Sequence, residues 1–526
     1  MGTYLNPGNS GFQRILKSKY VDKTGMIGLI NRTIDTADNL ICVSRPRRFG
    51  KSYAAQMLCA YYDKSCKSEE LFKDLIISED STFYDHLNKY DVIYLDMTSI
   101  KPYTDQYLNL VPFITDKLTE ELMDNYKKVR NHTDFPSTLL DAVNESGNKI
   151  IMIIDEWDAP IRENPAIERE YLEFLRTLFK SSGTTAKIFA AAYMTGILPI
   201  KKNGSQSAVS EFEEYTMLKP YIFGKYIGFT ENEVMDVCEE YNADFQSMKQ
   251  WYDGYNIKNV GSVYNPNSVM KAIKYEEFDS YWTESSAAKG LMEYINKDYS
   301  GMTKTVAELM GGIEVSVDTG GFENDMLTFR SKDDVLTLMI HLGYLSYDSE
   351  KKTVRIPNEE IRREFSRAVR ETDHKATLER LRECDKLFED TINGNEEAVA
   401  AQIEKIHAEE TAPLHYNREA SLRSVIKLAY YTYRDHYIQL EELPSGTGYA
   451  DIVYLPKPDS GYPALLIELK WDKSAESAIE QIRMKNYPAV LKDYGEGIII
   501  LVGINYNSKT KEHSCVIEEY DMSETL

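Results

Sequence analysis

Residues 39–58 constrain this chain more than any other stretch. They read Asn-Leu-Ile-Cys-Val-Ser-Arg-Pro-Arg-Arg-Phe-Gly-Lys-Ser, followed by an apolar-periodic run. Leu40, Ile41, Cys42 and Val43 are apolar and partly β-branched, which suits a buried parallel strand. Arg45 to Phe49 reads as a loop, and Gly50-Lys51-Ser52 opens a helix with Ala54, Ala55, Met57 and Leu58 on one side. Strand, loop, Gly-Lys-Ser, helix is a phosphate-binding arrangement. The free N–H groups and positive dipole end of a helix start attract phosphate. Gly50 lets the backbone approach closely, Lys51 is expected to reach the β/γ oxygens of ATP, and the Ser52 hydroxyl to ligate Mg²⁺. Arg47, Arg48 and Phe49 complete the expected nucleotide-binding loop. Arg45 stands where the usual pattern has its first glycine, and Pro46 removes a loop N–H. The charges of Arg45, Arg47 and Arg48 are expected to compensate in part. The bland alternative is a basic turn before an ordinary helix.

A second stretch argues against that alternative. Asn148 to Asp158 is an apolar run ending in Asp155-Glu156. Asp155 is expected to hold Mg²⁺ directly or through water, and Glu156 to polarise the attacking water. A third strand, Lys187 to Met194, ends in Thr195-Gly196, with Thr195 placed as a polar sensor near the γ-phosphate. A fourth runs through residues 90–96. Helical patterns over 105–127, 136–146 and 164–181 separate the strands. The expected fold class is therefore α/β, a largely parallel sheet with helices on both faces. Its ligand site belongs at the carboxyl ends of the strands, where Lys51, Asp155 and Thr195 all fall.

Composition narrows the classes. No apolar run in the 526 residues approaches membrane-spanning length, and no signal-peptide core is present at the start. The six cysteines are scattered without paired spacing, which argues for a reduced, cytoplasmic setting and against structural zinc. A net charge of −23 argues against a broadly basic nucleic-acid surface, but leaves room for a local groove.

Elsewhere the chain is read more coarsely. Tyr20 to Thr24 reads as a short strand and turn, with Asp22 as N-cap of the helix that follows. Residues 201–222 read as a surface loop. From Thr230 the chain looks helical to about residue 310, with a capping box between Thr230 and Glu233. The turns at Trp251–Tyr255 and Tyr264–Ser268 are expected to pack a helical lid on the core. Residues 333–366 read as a helix plus hairpin, a small winged-helix-like unit. Its Arg355, Arg362 and Arg363 are read as a solvated face in preference to a DNA contact. Residues 367–412 read as an exposed, ion-pair-laced helical connector. The expected division is 1–225 ATPase core, 226–320 lid, 321–374 winged-helix-like unit, and 375–526 connector plus C-terminal α/β domain.

That last domain carries a second constellation. Gly446 to Tyr454 is a turn feeding a strand, and Ala464 to Lys470 is a second strand. Ala475 to Tyr487 is a helix, and Gly497 to Gly503 an aliphatic strand. Glu468 and Lys470 share one strand face. Asp451 on the neighbouring strand can join Glu468 in holding Mg²⁺ or Mn²⁺, and Lys470 can orient or deprotonate water. Glu419 is a candidate third acid, and Gln481 can face the site from the helix. The bland reading is a surface salt bridge.

Together these motifs resemble a bacterial family of AAA-ATPase-like proteins fused to a C-terminal PD-(D/E)XK nuclease-superfamily domain. The resemblance rests on Tyr20–Thr24, Arg45–Ser52, Asp155-Glu156, Trp251–Tyr255, Tyr264-Asn265-Pro266, Asp451 and Glu468-x-Lys470, with Gln481, Lys485 and Tyr487. Pro199 and Lys201–Gly204 depart from the polar motif such proteins carry after the third strand. The expectation is an ATPase whose nucleotide state controls metal-dependent cleavage of DNA or RNA. Catalysis would fall to Glu156, Asp451, Glu468 and Lys470, and homo-oligomerisation is left open. The rival reading is a nucleotide-dependent switch or scaffold with a non-cleaving partner module, in defence for example. Arg47, Arg48 and Arg162 are positional candidates for an arginine finger.

Overall fold

The computed structural model describes the chain apart from residues 1, 181, 201–210, 283–301, 323–330, 371–374, 411–421, 424, 427–428, 431–436, 446–447, 457–460, 486–496 and 522–526. The chain divides into two compact units, Met1–Leu291 with Ser316–Glu364, and Met292–Val315 with Phe365–Leu526.

The first unit is built on five strands: β1 (Leu40–Ser44), β2 (Asp91–Asp96), β3 (Ile150–Asp155), β4 (Phe189–Gly196) and β5 (Glu213–Tyr215). They lie in the order β2-β3-β4-β1-β5, and every pairing is parallel. Strands buried on both faces need apolar side chains at every position, which is why β1 and β3 read as unbroken aliphatic runs. Leu40, Cys42, Ile150, Met152, Ile154 and Met194 share one core with the flanking helices, which contribute Ile114, Leu118, Leu139, Tyr171 and Leu175. The register sets Ser44 beside Gly196 and Val43 beside Thr195, so β1 and β4 end level.

Several local readings change. Tyr20 to Lys23 form no strand, and the Asp22 carboxylate accepts from the amides of Thr24 and Ile76 instead of capping the helix Gly25–Asn31. Part of the expected loop after Pro199 lies outside the described residues, but Glu213–Tyr215 is an edge strand. The stretch expected to be helical from Thr230 is interrupted by a hairpin, Tyr255–Ile257 with Gly261–Tyr264. Gly254 turns the chain from the preceding helix into that hairpin. Its φ is +113°, and a Cβ there would lie 2.0 Å from the Pro357 carbonyl oxygen. The Thr230–Glu233 capping box is present.

The helix Lys332–Leu342 ends on left-handed Gly343, followed by the hairpin Ser346–Asp348 with Thr353–Arg355. Of its arginines Arg355 is exposed, as expected, but the other two are engaged. Arg362 is buried in a two-point ion pair with Glu359, and Arg363 stacks its guanidinium 4.3 Å from the Trp251 ring.

In the second unit five strands lie in sequence order: β6 (Tyr437–Ser445), β7 (Gly448–Pro456), β8 (Ala464–Trp471), β9 (Ile498–Tyr506) and β10 (His513–Asp521). Only β8 and β9 run parallel, bridged by the helix Ala475–Met484. In the region expected to be an exposed connector, the described helices carry an apolar stripe that belongs to the core. Leu387, Val399, Ile403 and Ile406, on the helices Lys375–Ile392 and Glu396–Glu410, are buried in one cluster with Ile452, Ile467 and Val502. Their charged residues cover the outer surface of helices whose inner stripe is apolar.

One buried acid in the first unit makes stability depend on pH. Glu360 is enclosed, accepting from the Ser268 hydroxyl and the Tyr281 amide. Burial pushes it up to about 8, Glu364 adds to this, and Arg48 pulls it back. The folded chain therefore holds a proton that the unfolded chain, near 4.5, releases. Stability from this group is full below about 4.5 and is lost as pH rises through about 8. Thermal unfolding of Glu360→Gln is expected to lack this component, so the wild type should lose more melting temperature than the variant over that window. Parallel pH profiles would refute the assignment.

Candidate functional site

The helix Lys51–Tyr62 starts directly after Gly50, whose φ of +93° turns the loop into the helix. This places Lys51 inside the sheet end, 3% exposed. Its ammonium donates to the carbonyls of Arg45 (3.1 Å) and Pro46 (3.0 Å) and lies 3.2 Å from Glu156 Oε1. Asp155 ends β3 and is almost wholly enclosed. Burial pushes its carboxyl up to about 6, while hydroxyl donation from Ser52 and Thr195 and the charge of Lys51 pull it down. The Thr195 Oγ1 also accepts the Glu156 amide at 3.2 Å. Glu156 is itself left-handed at φ 54°, which swings its carboxylate towards Lys51. Burial opposes its charge, but Lys51, Arg162 and Arg47 hold it below the usual carboxylate range.

Lys51, Ser52, Asp155, Glu156 and Thr195 thus converge at the carboxyl ends of β1, β3 and β4. The three loop arginines divide. Arg47 faces Glu156 electrostatically. Arg48, at φ 68°, donates to the Tyr281 carbonyl at 3.0 Å. Arg45 is fully buried and donates to the carbonyls of Ser44 and Tyr215 at 2.9 and 3.1 Å, so its charge is used inside the fold. Phe49 is buried with its ring edge-on to Tyr255 at 5.4 Å. The hard-oxygen pair of Ser52 and Asp155, joined through a hydroxyl, is suited to Mg²⁺.

In the second unit Glu468 and Lys470 do share a strand face. Lys470 Nζ donates to Glu468 Oε1 (2.9 Å) and to Gln481 Oε1 (2.6 Å), and the Gln481 amide also donates to Glu468 Oε1. Asp451 accepts the Leu469 amide at 2.9 Å and pairs with Arg423 at 2.7 Å. Burial, reinforced by Asp451, raises the Glu468 carboxyl. Glu468 Oε2 is enclosed and has no hydrogen-bond partner among the described residues. An unpartnered carboxylate oxygen beside a second acid fits a divalent cation. Among the described residues no group of three His, Cys, Asp or Glu is placed to hold a metal, and Glu419 lies outside them.

Comparison with known proteins follows the same division. Residues 8–205 match the family described as predicted AAA-ATPase, and residues 417–515 match the PD-(D/E)XK nuclease superfamily. The chain thus carries a predicted AAA-ATPase domain and, towards its C-terminus, a PD-(D/E)XK nuclease-superfamily domain. A curated relative, the "Uncharacterized protein in vnfD 5'region" of Azotobacter chroococcum mcd 1, is 24% identical over 66% of this chain and 66% of its own length. Among solved structures, C. elegans PCH-2 is 10% identical with TM-score 0.21, over 45% of this chain and 50% of that one. A DNA replication initiation factor is 12% identical with TM-score 0.26, over 79% and 96%. The Aeropyrum pernix ORC1 protein in complex with DNA is 12% identical with TM-score 0.26, over 72% and 100%. Among the described residues, no helix is long and apolar enough to cross a membrane.

Sequence reasoning missed Asp158 and Arg423. Asp158 accepts from Arg162 at 2.6 Å and from the amides of Ile197 and Leu198, tying the end of β3 to the chain after β4. Its place three residues beyond Asp155 was a usable signal. Arg423 is one cation on a mixed helix, and nothing in the sequence marks it. The Thr195 hydroxyl serves both Asp155 and the Glu156 amide, so Thr195→Val should cost about 1–3 kcal/mol in unfolding free energy. Chemical denaturation showing no loss would contradict these two bonds.

Proposed function

We propose that the AAA-ATPase-like domain binds and hydrolyses ATP, and that its nucleotide state controls phosphodiester cleavage by the C-terminal domain. The supporting observation for the first half is the convergence of Lys51, Ser52, Asp155, Glu156 and Thr195, with Lys51 3.2 Å from Glu156. Lys51 would bind the β/γ oxygens, and Ser52 and Asp155 would hold Mg²⁺, which neutralises phosphate charge when bound. Glu156 would take a proton from water. The water oxygen then bonds to the γ-phosphorus as the bridging bond breaks, and ADP leaves with the electron pair. Thr195 would orient Asp155 and fix the turn that aims Glu156.

In the second half, Asp451 and Glu468 would hold Mg²⁺ or Mn²⁺, which supplies charge stabilisation at the scissile phosphate. Lys470, positioned by Gln481, would orient the attacking water. A second reading, a binding module that does not cut, is favoured by the Arg423 guanidinium already placed on Asp451.

Two measurements test these assignments. ATP turnover should fall at least about a hundredfold in Lys51→Ala, and equal turnover would refute the first half. Incubation with DNA or RNA and Mn²⁺ should give cleavage by the wild type and none by Lys470→Ala. If no cleavage occurs and calorimetry shows the same Mn²⁺ heat for wild type and Asp451→Ala, the binding-module reading stands instead.

A further inference from the structure

Among the cations around Glu156, Lys51 and Arg162 differ in how firmly they are held. Lys51 Nζ is 3.2 Å from Oε1, and Arg162 Nη2 is 3.7 Å from Oε2. Lys51 is the group a triphosphate would recruit, so Glu156 and the phosphate compete for one ammonium. Arg162 is anchored elsewhere. Its Nη1 sits 2.6 Å from Asp158 Oδ2, and Asp158 is itself fixed by the amides of Ile197 (3.2 Å) and Leu198 (3.1 Å). The Arg162 side chain is 11% exposed, and its Nε is buried with no hydrogen-bond partner among the described residues. A guanidinium clamped at one corner keeps its remaining donors in a fixed direction. Here Nη2 is held between Glu156 Oε2 at 3.7 Å and the more exposed Glu163 Oε1 at 3.8 Å, and Glu156 is the acid that faces Lys51.

We propose that Arg162 is a positioning residue that takes over Glu156 when a triphosphate draws Lys51 away. Glu156 acts first as an internal counter-ion of Lys51 and then as a carboxylate held by Arg162, charged and aimed at the γ-phosphate. Arg162 makes no contact with nucleotide in this scheme, so it is not a finger residue. The inference rests on the ATP-hydrolysis reading above.

The test is a double-mutant cycle on the full chain. Affinity for a fluorescent ATP analogue is measured in EDTA and again with Mg²⁺, together with kcat and KM for ATP. Glu156→Gln should bind the analogue several-fold more tightly, because Lys51 is released. Arg162→Ala should bind about tenfold more weakly, because Glu156 then loses Arg162 and holds Lys51 more firmly. Its kcat should fall as well. In the Glu156→Gln background, Arg162→Ala should leave affinity unchanged; with Glu156 present, Arg162→Lys should restore part of the affinity and kcat that Arg162→Ala loses. An equal affinity loss in the two backgrounds would assign Arg162 a merely structural role through Asp158 and overturn the proposal. No affinity change in either background would overturn it too. A wild-type chain that binds no analogue would overturn the ATPase reading along with it.

Discussion

A lysine ammonium enclosed at the end of a parallel sheet has to be surrounded by acceptors, since burying an unpaired charge costs several kcal/mol. The AAA-ATPase-like unit meets this need at Lys51 with two carbonyls of its own loop and one carboxylate. Much else depends on that solution. The loop must curl so that the Arg45 and Pro46 carbonyls point inward. Glu156 must leave the strand in a left-handed turn to bring its carboxylate round. Thr195 must end level with Asp155 to secure that turn through its hydroxyl.

The unusual loop residues follow from the same curl. With Arg45 in place of the first glycine, the guanidinium is driven inward, where it caps the carbonyls of Ser44 and Tyr215. Burial draws it down to about 10. Pro46 packs where a Cβ on Gly343 would be only 2.8 Å away. Phe49 meets Tyr255, whose hydroxyl donates to the Gly343 carbonyl at 2.5 Å. Arg48 reaches Tyr281, which also donates its amide to Glu360. The loop is therefore two-sided. One side turns the Arg45 and Pro46 carbonyls to Lys51 at the strand ends, and the other is keyed into the hairpin and helix that follow the core.

What was legible in the sequence had strong local periodicity. The β1 and β3 runs, the Gly-Lys-Ser helix start, and the two-residue spacing of Glu468 and Lys470 each carry their structural meaning within a few residues. What was illegible depended on distant partners. Glu213–Tyr215 is a short edge strand with two acids, and it is a strand only because β1 offers it a free edge. The helices around Val399 and Ile406 look like a solvated connector because their apolar stripe is narrow among many charges. The sheet of β6 to β10 supplies the reason for that stripe. Arg423 and Arg162 gain their roles from acids 28 and 4 positions away, and only the first of those distances is long enough to be invisible to helix spacing.

Between β7 and β8 the described rungs run from Tyr454↔Leu465 to Ile452↔Ile467, and one position further the Leu469 amide is taken by the Asp451 side chain. A carboxylate there replaces a backbone carbonyl as acceptor, so the two strands are spaced by a side chain at the point where Glu468 and Lys470 emerge. One side chain, Asp451, thus both spaces the two strands and adds its charge to that of Glu468. Asparagine at this position would remove the charge while keeping an acceptor for the Leu469 amide, so strand spacing and local charge can change independently of one another.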